Sequence, residues 1–180
     1  MRIQLEDTQA LIIDYQEKLV PVIYNKEQLI KNSTKLIKGL QVLNVPMMVT
    51  QQYTKGLGMT VNELAKEIKE FHFYEKISFS CYKDKEINTK VKEMNKKNII
   101  LCGIEAHICV LQTAIDLLED HYNVILVEDC IASRKENDKI IALKRLEKEG
   151  VTITSYESIL FELMNAANHP IFKQISALVK

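Results

Sequence analysis

The segment NIILCGIEAHICVL, residues 98–111, decides the fold because it passes from an apolar run into a helical pattern. Asn98–Cys102 has the near-continuous apolar character of a strand buried on both faces of a parallel sheet. Gly103 ends the run, and apolar residues at helical spacing predict a helix from about Ile108 to Asp120. Cys109 lies near the start of this helix, where the positive end of the helix dipole favours a thiolate. We therefore take Cys109 as a candidate nucleophile.

The same succession of strand and helix recurs along the chain. Six segments have the composition of strands: Gln9–Asp14, Val45–Thr50, Phe71–Lys76, Asn98–Cys102, Asn123–Val127 and Val151–Thr154. Helical patterns separate them, which is typical of a parallel sheet covered by helices on both faces. No linker, repeat or low-complexity tract divides the chain. We expect an α/β, three-layer, Rossmann-like fold in a single domain, residues 1–180.

Several helix ends are also marked in the sequence. Four helix starts are predicted from polar residues in capping positions: Asn25, Thr60, Asp84 and Ser133. Gly150 has the position of a C′ glycine, which ends a helix in a left-handed conformation. A last helical region is broken near His169-Pro170, and we expect its apolar residues Leu160, Phe161 and Leu163 to pack inward rather than form a subunit interface.

Composition excludes several classes of function. The 180 residues are 47% apolar and carry 24 basic and 24 acidic residues, so nothing indicates a nucleic-acid partner. No apolar run approaches the roughly 20 residues that cross a bilayer, and acidic residues within residues 1–7 argue against a signal peptide. The four cysteines have no metal-binding spacing. They are interpreted as reduced thiols of a cytoplasmic protein without a cofactor.

Three reactive side chains are predicted at one edge of the sheet. Asp14, Lys76 and Cys109 all follow the carboxyl ends of strands, where open parallel sheets bind their ligands. Asp14 would take the thiol proton or hold it as part of an ion pair, and Lys76 would lower the thiol pKa and orient Asp14. Cys109 would then attack an sp² carbon, and backbone N–H groups at the start of its helix would stabilise the oxyanion.

Each of these residues also has a structural interpretation. Asp14 could cap a turn, Lys76 could be a solvated surface lysine, and a free cysteine is often only a small buried hydrophobe. We expect the last of these for the other three cysteines, which are Cys81, Cys102 and Cys130. His107 is too close in sequence to Cys109 to serve readily as its base.

Two further motifs lack the residues that their functions require. Gly56-Leu57-Gly58 lacks the remaining residues of a phosphate-binding loop, so a flexible loop is the preferred interpretation. Ile115 occupies the position at which a cysteine phosphatase would need arginine after Cys109.

Three segments resemble the isochorismatase-like cysteine hydrolases, a superfamily that includes the nicotinamidases. Leu11–Gln16 is similar to the family's first strand with its catalytic Asp. Lys76–Ser80 resembles its lysine motif, and Gly103–Cys109 resembles its nucleophile loop. The three occur in family order and spacing, and the likeness extends over all six strands.

The resemblance implies more about the fold and the site. The sheet would have strand order 3-2-1-4-5-6, which brings Asp14 beside the Cys109 loop. A cis peptide bond would join Ile104 to Glu105, and the N–H groups of Glu105 and Cys109 would form the oxyanion hole. The family also implies a homo-oligomer.

The chain departs from nicotinamidases after the second strand. Those enzymes bind a metal through an Asp-x-His pair, where this chain has Thr50-Gln51-Gln52-Tyr53. We therefore expect no metal and a substrate other than nicotinamide, with Gln52 and Tyr53 among the substrate-binding residues. This segment is closer to the uncharacterised isochorismatase-domain proteins.

Three functions are consistent with the sequence. The first is a metal-independent hydrolase that cleaves a small amide or related C–N compound through a thioester. The second is isochorismatase-type hydrolysis of a vinyl ether, with Asp14 as an acid and no thioester. The third is a non-catalytic binding or scaffold protein of the same fold.

Overall fold

A computed structural model describes residues 2–180, and six parallel strands form one sheet in the order β3-β2-β1-β4-β5-β6. The strands are β1 Thr8–Ile13, β2 Met47–Gln52, β3 Phe73–Lys76, β4 Asn98–Ile104, β5 Asn123–Ala132 and β6 Thr152–Thr154. This confirms the predicted α/β class and strand order. Because the order reverses between β1 and β4, their carboxyl ends open the crevice where such folds bind ligands.

Eight α-helices cover the two faces of the sheet in the described residues. They are α1 Lys26–Val42, α2 Thr54–Leu57, α3 Asn62–Ala65, α4 Lys85–Glu93, α5 Leu111–Glu119, α6 Glu136–Glu149, α7 Tyr156–Met164 and α8 Phe172–Val179. One apolar core lies under α1, α3, α7 and α8, and the other under α4, α5 and α6. The central strands β1 and β4 are buried along their whole length. Their continuous apolar character therefore reflects burial on both faces.

Two strands are longer than the sequence predicted. β4 continues past Cys102 to Ile104, and β5 continues past Val127 to Ala132. The prediction ended β5 at the acidic pair Glu128-Asp129, but a shift in register beyond Leu101 lets the strand resume pairing with β4. β5 therefore reaches further toward the carboxyl edge of the sheet, where the candidate site lies.

Gly103 allows β1 and β4 to approach closely just before the site. It lies opposite Ile13 in the parallel register and has φ +139°, a conformation that side chains rarely adopt. A Cβ atom at this position would collide with the backbone carbonyl of Ile13, the residue before Asp14. Glycine is therefore required both by the backbone angle and by the neighbouring strand.

The predicted helix ends are partly correct. Asp84 caps α4 by accepting hydrogen bonds from the N–H groups of Glu86 (3.0 Å) and Ile87 (3.3 Å). Gly150 ends α6 with φ +99°, as predicted.

The three predicted capping boxes are wrong. No helix is capped by the side chain of Asn25, Thr60 or Ser133. Asn25 precedes α1 with a left-handed φ of 52°. Helices α3 and α6 begin one or more residues later than expected. Thr60 instead accepts a hydrogen bond from Gln51 at 2.8 Å. Ser133 bonds to a histidine described below. Tertiary partners thus replace the local hydrogen bonds that the pattern favours.

The carboxyl-terminal helices pack as expected. Leu160 and Leu163 are buried, and Phe161 is partly buried against the core shared with α1. The helical region is interrupted between Met164 and Phe172.

None of the helices formed by residues 2–180 has the length and apolar character to span a bilayer.

Replacing Gly103 by alanine should destabilise the protein by about 3 kcal/mol or more, since backbone strain and a steric collision act together. Urea denaturation monitored by circular dichroism measures the change. Gly150→Ala is the matched control because it shares a positive φ but has no atom within 4 Å of the added Cβ. We expect it to cost about 1 kcal/mol. Equal losses in the two variants would contradict the importance of close strand approach.

Candidate active site

A buried ion pair occupies the carboxyl edge of the sheet. Asp14 follows β1 directly, with φ 55°, and Lys76 is the last residue of β3. Asp14 Oδ2 lies 2.7 Å from Lys76 Nζ, and neither side chain has exposed surface. The pair therefore spans β2, and interpreting Lys76 as a solvated surface residue is wrong.

Neighbouring groups satisfy the carboxylate and the ammonium. Thr50 Oγ1 donates to Asp14 Oδ1 at 2.8 Å. Lys76 Nζ donates to Gln52 Oε1 at 2.7 Å, to Phe79 O at 3.0 Å and to Ser78 O at 3.2 Å. Four oxygen atoms thus surround an ammonium that has three protons. Lys76 is equipped to act through its charge rather than by donating to a ligand.

Cys109 lies within a π-helix, Ala106–Val110, which continues into α5. The single helix predicted from about Ile108 therefore begins earlier and has two parts. Cys109 retains 6% exposure, whereas the other three cysteines have none, as expected for core residues. Cys109 is thus the thiol with a path to solvent.

Burial and the nearest negative charge favour the protonated form of the Cys109 thiol. Burial is the main cause that raises the pKa of Cys109 from 9.0 to about 12, and the negative charge of Asp14 raises it further. The charge of Lys76 lowers the pKa but does not outweigh these effects. The expected effect of Lys76 is therefore present, but the net shift of the pKa is away from the thiolate that the sequence predicted. The structure supplies instead a neutral thiol within electrostatic range of a carboxylate.

The turn before Cys109 is tied to the end of β5. The peptide bond between Ile104 and Glu105 is cis. The buried carboxylate of Glu105 accepts from the backbone N–H of Arg134 at 3.0 Å and from its Nε at 3.1 Å. The Glu105 carbonyl accepts from the N–H groups of Ile108 (3.0 Å) and Val110 (3.3 Å). An oxyanion hole formed by the Glu105 and Cys109 N–H groups stays a prediction.

His107 is bonded away from the acid–lysine pair. Its Nδ1 lies 2.8 Å from Ser133 Oγ, and its Nε2 lies 3.9 Å from Asp138 Oδ2 on α6. These contacts agree with the preference for Asp14 over His107 as the base. They attach the turn before Cys109 to the β5–α6 connection a second time.

The two residues expected to bind substrate differ in their surroundings. Gln52 already uses both ends of its amide, since Nε2 donates to Ile77 O at 2.6 Å while Oε1 accepts from Lys76. Tyr53 has φ 39° and is 49% exposed, and its ring lies against Gly56. Substrate contacts by either residue stay a prediction, and the observed contacts of Gln52 hold Lys76 in place.

Sequence patterns missed three residues of this site. The first is Thr50, which contacts Asp14. The second is Gln52 in its role as a partner of Lys76, and the third is Arg134, which contacts Glu105. Parallel register was the available signal for two of them, because Thr50 lies opposite Ile13 and Gln52 lies opposite Lys76. The contact between Arg134 and Glu105 had no such signal, since it depends on the register shift in β5.

Among residues 2–180, no group of three or more His, Cys, Asp or Glu side chains is arranged to hold a metal ion.

The sheet order and the edge site define an isochorismatase-type α/β protein. A family model of the isochorismatase domain matches residues 8–158, and the chain belongs to that family. It is 38% identical to isochorismatase domain-containing protein 2 of Danio rerio over 179 residues, which cover 99% of this chain and 89% of the relative.

Solved structures show the same fold. The MAR1 ribonuclease of Caenorhabditis elegans superposes with a TM-score of 0.94 at 36% identity, covering 99% of this chain and 92% of that chain. YcaC of Escherichia coli, described as an octameric hydrolase of unknown specificity, superposes with a TM-score of 0.93 at 20% identity, covering 99% and 89%.

Replacing Lys76 by methionine should destabilise the protein by about 3–5 kcal/mol, because it leaves the buried Asp14 carboxylate without its counter-charge. The double variant Asp14→Asn/Lys76→Met should recover much of that loss, since no buried charge then remains unpaired. Urea denaturation of both single variants and the double variant gives the coupling energy. Simple additivity of the two single losses would contradict a buried, interacting pair.

Alkylation of Cys109 by iodoacetamide should accelerate about tenfold per pH unit from about pH 7 to pH 10, because the thiolate fraction grows in that proportion below the pKa. A pKa of about 12 predicts no plateau in this range. Peptide mass spectrometry after timed quenching measures the rate. In Cys109→Ala the labelling should vanish while the chain stays folded. A plateau near about pH 8.5, the pKa of a free cysteine, would contradict the raised pKa.

Proposed function

We propose that this protein is a metal-independent cysteine hydrolase that cleaves a small amide or related C–N compound through a thioester. Asp14 is the base, Lys76 its electrostatic partner and Cys109 the nucleophile. The observation that carries the proposal is the fully buried Asp14–Lys76 pair at 2.7 Å, whose charges act on the Cys109 thiol. The cost of desolvating two charges offsets most of their attraction, so a pair this deeply buried contributes little to stability. A functional role for the pair is therefore favoured.

The raised thiol pKa determines the order of proton movements. Cys109 is a thiol in the resting protein, so Asp14 accepts its proton as Sγ bonds to the carbonyl carbon. The tetrahedral oxyanion collapses, the C–N bond breaks, and the amine leaves with the proton from Asp14. Water then attacks the thioester, giving its proton to Asp14, and the carboxylic acid leaves as the proton returns to Sγ. No redox change or cofactor is involved.

Lys76 keeps the base ready throughout this cycle. Its ammonium pairs with the Asp14 carboxylate at 2.7 Å, and its bonds to Gln52 and the residue 78–79 carbonyls hold the ammonium in place. N–H groups of Glu105 and Cys109 are the proposed oxyanion donors, and each such donor typically contributes a factor of about 10²–10³ in rate.

Small substrates fit this site better than macromolecules. Cys109 is only 6% exposed and the chain has no net charge, whereas nucleic-acid sites are rich in basic residues. The C. elegans relative is named a ribonuclease, so RNA belongs among the substrates that are tested. A cytoplasmic homo-oligomer completes the proposal, in line with the octamer described for E. coli YcaC.

The test is a screen of small amides, vinyl ethers including isochorismate, and RNA, with turnover and intact mass as readouts. For an amide that is turned over, we expect an acyl adduct on Cys109. Cys109→Ala should lower the rate by about 10³-fold or more and Asp14→Asn by about 10²–10⁴-fold. Cys130→Ala, a buried cysteine outside the site, is the control and should retain turnover.

Other outcomes would favour another function. Vinyl-ether turnover that depends on Asp14 without any adduct supports isochorismatase-type hydrolysis. RNA cleavage that survives Cys109→Ala, or no turnover of any class, would overturn the thioester mechanism.

A further inference from the structure

A buried hydroxyl beside the candidate site has no partner. Three buried side-chain oxygens within residues 2–180 accept or donate no hydrogen bond: Gln9 Oε1, Asp14 Oδ2 and Ser80 Oγ. Asp14 Oδ2 is compensated by its ion pair with Lys76. The Gln9 side chain is anchored through its Nε2 at the opposite edge of the sheet. Ser80 alone of these has neither form of compensation.

The chain on both sides of Ser80 is fixed to the candidate machinery. The carbonyl of Phe79, the preceding residue, accepts from Lys76 Nζ at 3.0 Å. The N–H of Cys81, the following residue, donates to Thr113 Oγ1 at 3.0 Å. Thr113 lies four residues after Cys109 on the same continuous helical segment. Ser80 is therefore held between the catalytic lysine and the helix of the nucleophile.

Electrostatics place this segment close to the reacting groups. The charges of Lys76 and Asp14 both act on the pKa of Cys81, and Cys81 in turn acts on the pKa of Cys109. Ser80 itself is 3% exposed. A hydroxyl buried without a partner is costly, and another molecule that completes its hydrogen bonding removes that cost.

We propose that Ser80 is a substrate-binding residue whose hydroxyl hydrogen-bonds to the carboxamide of a small amide, a role that rests on the proposed function. A carboxamide offers both N–H donors and a carbonyl acceptor, so either arrangement of the Ser80 hydroxyl finds a complement. The bond would hold the carboxamide group beside Cys109 Sγ. It also makes the site selective for carboxamides over compounds of similar size that lack an amide.

The experiment compares two electrophiles that differ only in this group. Iodoacetamide and iodoacetonitrile both alkylate thiolates with loss of iodide, but only the first has a carboxamide. The rate constant for Cys109 with each is divided by the rate constant for glutathione, which removes intrinsic reactivity. In the wild-type protein we expect this normalised ratio to favour iodoacetamide.

Ser80→Ala should lower the ratio about five- to tenfold, the effect of losing one neutral hydrogen bond. It should leave the melting temperature unchanged or raise it, because no existing hydrogen bond is removed. Ser33→Ala on α1 is the matched control: Ser33 is also buried, but its Oγ already has a partner, the Tyr15 hydroxyl at 2.7 Å. That change should lower the melting temperature and leave the ratio unaltered.

The possible failures are distinguishable. A ratio that Ser80→Ala does not change overturns the role of Ser80, while selective labelling of Cys109 leaves the proposed function intact. A drop in melting temperature matching that of Ser33→Ala, with the ratio unchanged, assigns Ser80 a structural role. Labelling of Cys81, Cys102 or Cys130 in place of Cys109 overturns both proposals.

Discussion

The ion pair between Asp14 and Lys76 is the interaction on which the arrangement of the site depends. Removing both charges from water is expensive, and their attraction offsets that cost only with good geometry and added hydrogen bonds. The fold supplies these through Thr50 and Gln52 on β2 and through the backbone carbonyls of residues 78–79. The strand between the two charges thus provides a ligand for each. The loop after β3 wraps around the ammonium for the same reason.

The thiol reaches this pair through a second set of constraints. Gly103 lets β4 run close beside β1, and the turn that follows is attached to β5 by Glu105 and Arg134. The π-helix then brings Cys109 into the field of Asp14. The charge of Asp14 raises the pKa of Cys109, so the acid and the thiol are electrostatically coupled. In the proposed mechanism, the proton therefore leaves the thiol as the bond to carbon forms.

Much of this arrangement could be predicted from the sequence because parallel sheets have simple rules. The strand patterns predicted all six strands. In a parallel sheet, residues that end β1 and β3, here Asp14 and Lys76, necessarily lie at the same carboxyl edge. The family resemblance supplied the strand order that places Cys109 nearby. Those predictions rest on periodicity and topology, which a single chain displays directly.

The errors arose where neighbours distant in sequence outweigh local preferences. Ser133 has the pattern of a helix cap, yet its hydroxyl bonds to His107. Cys109 has the helix position of a thiolate, yet desolvation and the charge of Asp14 exceed the effect of Lys76 on its pKa. Burial and the sign of the nearest charge are properties of the folded chain. Neither can be obtained from spacing alone.

The protonated state of the cysteines has a consequence for oxidative damage. Peroxides attack thiolates and exposed sulfur, and all four cysteines have a raised pKa and little or no exposed surface. The raised pKa of Cys109 therefore disfavours its conversion to sulfenic acid. In the proposed mechanism its nucleophilicity arises only when a substrate and the carboxylate act on it together, whereas a permanent thiolate would be open to oxidants at all times.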